Sequence, residues 1–281
     1  MSSARRRRST DNVVDWYGGQ STPDEDARLA ALYDLDARFE DPAIDWFRGL
    51  AKMTGGPVLE LGVGSGRVAI PIAKDGHEVV GIERSPAMLA RAAKRAKEQR
   101  VKLTLVEADM RTFSLERSFA LVTIPANTFL MLEPDDRWSC LARCREHLTA
   151  HGRVAIDVFQ PDPSFIAGMD GAVKEEWRRT DPQTGNPITK FSSTRGNVDA
   201  VSFHWWFDEE LPDGTVKRIL RETSLHYLYR REAELLFPAA GFEIDTLHGS
   251  YDGAAVTSSS PKLLFVLRRK ERGSGRERRT R

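Results

Sequence analysis

The sequence predicts a doubly wound α/β fold whose mostly parallel sheet is interrupted by an inserted antiparallel β-sheet. Three observations predict it. Strand-like and helix-like segments alternate from Val58 to Asp157, a run of three alternating glycines follows the first strand, and the rhythm breaks between about Val173 and Tyr229. Parallel neighbours need crossover helices of this length, so the alternation implies βαβ units with helices on both faces.

Two helices come first. Asp24 to Asp34 and Pro42 to Met53 carry apolar residues at helical spacing, and Gly55, Gly56 and Pro57 stop the second. Then follow a strand at Val58 to Leu61, a helix from Ser65 to Lys74, a strand at Glu78 to Ile82 and a helix from Pro86 to Gln99. Strands at Lys102 to Glu107 and Phe119 to Ile124, a helix from Pro134 to Leu148 and a strand at Gly152 to Asp157 continue the series.

Inside the break, β-prone runs at Ile188 to Ser193, Val201 to Phe207 and Thr215 to Tyr229 are separated by turn signals at Pro182 to Pro187 and Pro212 to Gly214. A helix from Arg231 to Ala240, stopped by Gly241, and strands at Phe242 to His248 and Lys262 to Leu267 complete the sheet. The expected organisation is a basic, unstructured start (1–22), cap helices (23–56), a nucleotide-binding domain (57–162 and 230–269), an antiparallel insertion (163–229) acting as lid or dimer contact, and a basic tail (270–281).

Composition narrows the function. The 42 Lys plus Arg nearly balance 41 Asp plus Glu, a net charge of +1, so no global basic field points to nucleic acid. The basic runs, Arg5 to Arg8 and Arg268 to Arg281, lie at the ends and read as solvated tails or a weak contact with an acidic partner. The first arginines lead into a polar stretch rather than an apolar signal core, and no run of 18 apolar residues occurs, so a cytoplasmic protein is expected, off the membrane. Cys140 and Cys144, four apart on a helix, read as small core residues rather than a redox or zinc pair.

The chemistry concentrates in Val58-Leu-Glu-Leu-Gly-Val-Gly-Ser-Gly66. Gly62, Gly64 and Gly66 let the backbone turn sharply and approach a ligand beside a helix N-terminus. Glu83 ends the next strand, where a carboxylate accepts from both hydroxyls of a ribose. These residues, with Glu60 two positions before the first glycine, resemble the class I S-adenosylmethionine-dependent methyltransferases, and the spacing GxGxG departs from the GxGxxG of nicotinamide dehydrogenases. The resemblance implies a Rossmann-like domain binding S-adenosyl-L-methionine. It places Glu60 by the loop and the cofactor ammonium, Glu83 on ribose, Arg84 and Met88 at the adenine border, and Asp109 and Met110 flanking adenine, the acid accepting from the exocyclic amine. Asn127, after the fourth strand, falls where the family lines the transfer site. Tyr33 resembles the N-terminal tyrosine of the small-molecule branch. Locally, Asp109 and Asn127 read equally well as turn residues and Tyr33 as a core tyrosine.

No metal is expected, because a sulfonium methyl is already activated and the protein must chiefly align a nucleophile and exclude water. A base for an N or O acceptor would come from the insertion, where His204, His226, Glu175 and Glu176 are candidates. The insertion's aromatics, among them Trp177, Phe203, Trp205, Trp206 and Phe207, fit a core for the added sheet, a homodimer contact or an acceptor pocket; alternation puts Phe203, Trp205 and Phe207 on one face and His204 and Trp206 on the other. The expected function is methyl transfer to an N, O or C atom of a small molecule. A nucleic-acid methyltransferase and an NAD(P)-dependent oxidoreductase are the alternatives.

Overall fold

A computed structural model describes residues 13–14, 19–37 and 41–270; the expected tails fall largely outside these residues. The short strands β1 (Val13–Val14) and β2 (Gln20–Ser21) pair antiparallel ahead of helix α1 (Pro23–Asp36). A capping box starts α1: Thr22 Oγ1 accepts from Glu25 N–H, and the Glu25 carboxylate accepts from Thr22 N–H. Asp41 caps α2 (Pro42–Thr54) by accepting from Ala43 N–H, and Gly55, at φ +82°, closes it in the left-handed region.

The main domain runs β3 (Val58–Leu61), α3 (Ala69–Lys74), β4 (Val79–Glu83), α4 (Pro86–Glu98), β5 (Thr104–Glu107), β6 (Phe119–Ile124), a 3-10 turn (Thr128–Met131), α5 (Asp136–Glu146) and β7 (Leu148–Phe159). After a short α6 (Pro163–Ala167) come the insertion strands β8 (Asp170–Thr180), β9 (Pro187–Gly196), β10 (Ala200–Glu210) and β11 (Val216–His226). Helix α7 (Arg230–Ala239) and strands β12 (Phe242–His248) and β13 (Lys262–Arg269) return to the main sheet.

The seven-stranded sheet has the order β12-β13-β7-β6-β3-β4-β5; β3 to β7 are parallel, and β13 is antiparallel to both its neighbours. The reversal at β3, with β4 on one side and β6 on the other, opens a crevice at the carboxyl ends of the strands, where ligands sit in such sheets. One face packs α2 and α3 through Ile44, Phe47, Ala51, Val68 and Ile72. The other packs α5 and α7 through Cys140, Leu141, Cys144 and Phe237, and both thiols are buried and free.

Two elements differ from expectation. The helix expected from Ser65 starts at Ala69, because the glycine loop and Ser65 to Val68 form a turn instead. Strand β8 was not anticipated: its sequence, DGAVKEEWRRT, is charged and largely exposed, and only pairing with β9 makes it a strand. The second sheet, β11-β10-β9-β8, lays Ile188 and Phe207 on Leu32 of α1. Ionic contacts of Asp36 with Lys190 and of Arg28 with Asp181 and Glu209 fasten the same helix to the sheet. No described helix is long and apolar enough to cross a membrane.

Candidate active site

The glycine loop is strapped to β4. Gly62 and Val63 each donate to the Ile82 carbonyl at 2.9 Å. Gly62 sits at φ +69°, and a Cβ there would lie 2.7 Å from Thr128 Cγ2, so only glycine fits between loop and 3-10 turn. Gly66, at φ +83°, is equally closed: a Cβ would meet Ile70 at 2.8 Å.

Glu83 is nearly buried, and its carboxylate accepts from three backbone N–H groups, Gly64 at 3.1 Å, Arg84 at 2.8 Å and Ser85 at 3.1 Å. Burial raises its pKa, and the backbone bonds pull it back. Ser85 caps α4 at Met88 N–H and donates its hydroxyl to buried Asp26 of α1 at 2.8 Å, which ties the cap helix to the loop beside Glu83.

Glu60 is 2% exposed, and its Oε2 has no hydrogen-bond partner among the described residues. Burial pushes its carboxyl up to about 8, against the pull of Arg67 and with the push of Glu83. Arg67 meets Asp41 at 2.8 Å and hydrogen-bonds Tyr33, whose own phenol is raised by burial. A buried carboxylate oxygen without a donor, beside a loop that only glycine can form, fits the ammonium of an amino-acid-like ligand.

Glu83 and Gly62 line a cleft of about 370 Å³ together with Ile82, Arg84, Ala108, Asp109, Met110, Arg111, Thr128, Met131, Leu132, Glu133, Asp136, Thr223, Ser224 and His226. Its volume lies within the range of small-ligand sites, about 300–1,000 Å³. One wall is the cofactor-type crevice, the other the end of β11 from the insertion. Asp109 is clasped by Arg111, at 2.6 Å from Nη2 and 3.0 Å from Nε, and Arg111 also holds Asp136 at 2.7 Å. Burial raises the Asp109 carboxyl, but the Arg111 hydrogen bonds outweigh it and leave it below the usual range.

Of the expected site residues, Gly62, Glu83, Arg84, Asp109, Met110 and His226 line this cleft, and Tyr33, Glu60, Gly64 and Gly66 stand around the loop behind it. Met88 does not border the cleft; it is wholly buried under α4. Asn127 is at φ +63°, and its side-chain oxygen accepts from Phe159 N–H at 2.7 Å, so it ties the end of β6 to β7. His204 and Glu176 require correction as candidate bases. His204 shares a sheet face with His226 but lies farther along β10, 3.3 Å from Glu222, in a hollow with Trp206 and Leu220 rather than in the cleft. Glu176 is exposed and receives the Ser192 hydroxyl, and Glu175 is exposed as well. His226 remains, its Nε2 3.2 Å from Glu133.

Sequence reasoning missed Arg67, Arg111, Glu133 and Arg137. Arg67 directly follows Gly66, and Glu133 lies just beyond β6 on the ligand side of the sheet, so position alone signalled both. Arg137 is 0% exposed on α5, and it donates to the His226 carbonyl at 2.6 Å and the Tyr227 carbonyl at 3.1 Å. Nothing local marks it.

Known methyltransferases resemble this chain. A protein family described as a methyltransferase domain matches residues 58–152, the stretch that carries the loop, Glu83 and Asp109. The chain carries a methyltransferase domain over this stretch and is similar along most of its length to known methyltransferases. The cypemycin N-terminal methyltransferase of a Streptomyces species is 26% identical over 87% of this chain and 97% of its own length. The CcbJ methyltransferase of Streptomyces caelestis superposes with a TM-score of 0.65 at 25% identity, covering 93% of this chain and 98% of that one. The sugar N-methyltransferase KedS8 of a Streptoalloteichus species shares the fold, with a TM-score of 0.69 at 21% identity over 85% of this chain and 93% of that one. The loop and the unpartnered Glu60 oxygen fit S-adenosylmethionine, the methyl donor that the resemblance implies.

Proposed function

We propose that the protein transfers a methyl group to nitrogen of a small-molecule amine held between the glycine loop and the β-insertion. The observation that carries the reading is the single cleft shared by Glu83 and Asp109 on one wall and Thr223, Ser224 and His226 on the other. The cypemycin relative is named for methylation at an N-terminus, which favours nitrogen among the accepting atoms.

When bound, S-adenosylmethionine supplies an electrophilic methyl on a sulfonium, so the chain's own residues have to bind, orient and keep water out. In this reading Glu60 takes the cofactor ammonium, with Tyr33 and Arg67 around it, and the Gly62, Gly64 and Gly66 backbone permits close approach. Glu83 takes the ribose hydroxyls through lone pairs its three backbone bonds leave free. Arg84, Asp109 and Met110 border the adenine, where the amine has to share Asp109 with Arg111. Met88 and Asn127 support the site from behind.

The insertion serves as the acceptor wall. Phe203 and Trp205 stack at 5.3 Å on the face that carries Thr223, since Phe203 pairs in register with Thr223.

The test is methyl transfer from isotopically labelled S-adenosylmethionine to matched panels of small amines, phenols and RNA. Label on amines supports the reading. Label confined to phenols or RNA contradicts it.

A further inference from the structure

The insertion's two histidines each pair with a carboxylate at nearly equal length, His204 with Glu222 at 3.3 Å and His226 with Glu133 at 3.2 Å. Their surroundings differ. Both members of the first are on the insertion, and His204 lines a separate hollow with Trp206 and Leu220. In the second, the histidine ends β11 and the carboxylate comes from the turn after β6, and both line the cleft that holds Glu83 and Asp109.

The second pair is also fixed from behind. Arg137, wholly buried, donates to the carbonyl of His226 itself and to that of Tyr227, and its guanidinium lies 5.7 Å from the Phe129 ring. Its two Nη groups are met by these carbonyls and by Glu232, while Nε has no partner among the described residues, and the bonds tie the end of β11 to α5. The charged groups around His226 are Glu133 and Asp136 on the same cleft wall, Arg111 and Asp109 across it, and Arg137 with Glu232 behind.

Nε2 of His226 faces the Glu133 carboxylate at 3.2 Å, so a hydrogen on Nε2 would point at an acceptor and leave the lone pair at Nδ1. We propose that the Glu133–His226 pair is the amine-receiving subsite, which draws in the acceptor's ammonium group and takes its proton at Nδ1. The proposal rests on the small-amine reading above and extends it to named residues. One N–H bond of the acceptor breaks as the Nδ1–H bond forms, leaving an amine lone pair and an imidazolium held by Glu133. The lone pair then forms the N–CH3 bond while the S–CH3 bond breaks and its electrons stay on sulfur. The imidazolium finally gives its proton to water. Glu133 is 67% exposed on its side chain, which leaves it open to an arriving cation.

Sinefungin tests the subsite without a known acceptor, because it carries a primary amine where S-adenosylmethionine carries its methyl. Its dissociation constant, and that of S-adenosylhomocysteine, would be measured by calorimetry for the unaltered protein and for Glu133→Gln, His226→Gln and His204→Gln. The expected result is a preference for sinefungin that falls roughly tenfold in Glu133→Gln and in His226→Gln, the scale of one charge-assisted hydrogen bond. S-adenosylhomocysteine affinity should hold in both, which also shows that they fold, and His204→Gln should change neither ligand. An unchanged sinefungin preference in the two cleft variants overturns the subsite. If the preference falls but the panels show label only on phenols or RNA, the amine reading fails while the cation subsite stands. If the unaltered protein binds neither ligand, both fall.

Discussion

At the cofactor end of the cleft, chain neighbours make the site: Glu83 is held by the N–H groups of Arg84, Ser85 and Gly64, and the loop is strapped to Ile82. At the acceptor end, residues far apart in sequence make it. His226 meets Glu133, and Arg137 reaches a carbonyl 89 residues away. Backbone groups in a short loop are fixed by local φ and ψ, whereas the acceptor end depends on how a separate sheet is docked. Changes at one end should therefore spare the other, and that independence is open to measurement.

The largest effect is expected at the junction. Arg137→Met removes the donors of two buried carbonyls, and its stability should fall by about 2–4 kcal/mol. Thermal unfolding reads that loss. S-adenosylhomocysteine affinity should change little while the sinefungin preference drops with the displaced His226; equal losses for both ligands would break the comparison.

Gly62→Ala attacks the other end. A side chain at φ +69°, 2.7 Å from Thr128, should cost about 2 kcal/mol and weaken S-adenosylhomocysteine at least tenfold. The insertion's contacts with α1 should survive, as hydrogen exchange at β9 and β10 would show.

Glu60→Gln gives a smaller, pH-dependent effect. Burial raises the folded pKa from 4.5 to about 8, so the folded state binds more protons than the unfolded state between those values. Ionised Glu60 therefore lowers the parent's stability progressively as pH rises from 4.5 through 8. Relative to the parent, the variant should gain stability progressively as pH rises from 4.5 through 8 and gain nothing near pH 4. Melting temperatures across pH check the sign, and S-adenosylhomocysteine should bind the variant more weakly because its ammonium loses a charged partner. The smallest change belongs to the hollow beside Trp206 and Leu220. His204→Gln breaks a solvent-screened pair and should stay within about 0.5 kcal/mol, with ligand binding unaltered.

The same division decided what could be read from the sequence. Hydrophobic runs ending in glycines gave β3, β4 and the loop, because a strand-turn-helix needs those residue types wherever it occurs. Glu83 and Asp109 were legible from their places after strands. Strand β8 was not, since its charged residues become a strand only through pairing with β9. Among the histidines, alternation along β10 separated His204 from Phe203, yet nothing local said that the end of β11 rather than the middle of β10 would meet the cleft. Arg137 was invisible for the same reason, since it acquires its role from β11, and the position of Glu133 after β6 marked the ligand side without marking its partner His226.

The central claim is that Glu83 and the glycine loop bind S-adenosylmethionine. The most direct measurement is calorimetric titration of S-adenosylhomocysteine and NADH into the unaltered protein, Glu83→Ala and Glu83→Gln. The account predicts binding of S-adenosylhomocysteine alone, weakened at least tenfold in both variants while their melting shows a folded chain. Full affinity in folded Glu83 variants, or a preference for NADH, would contradict it.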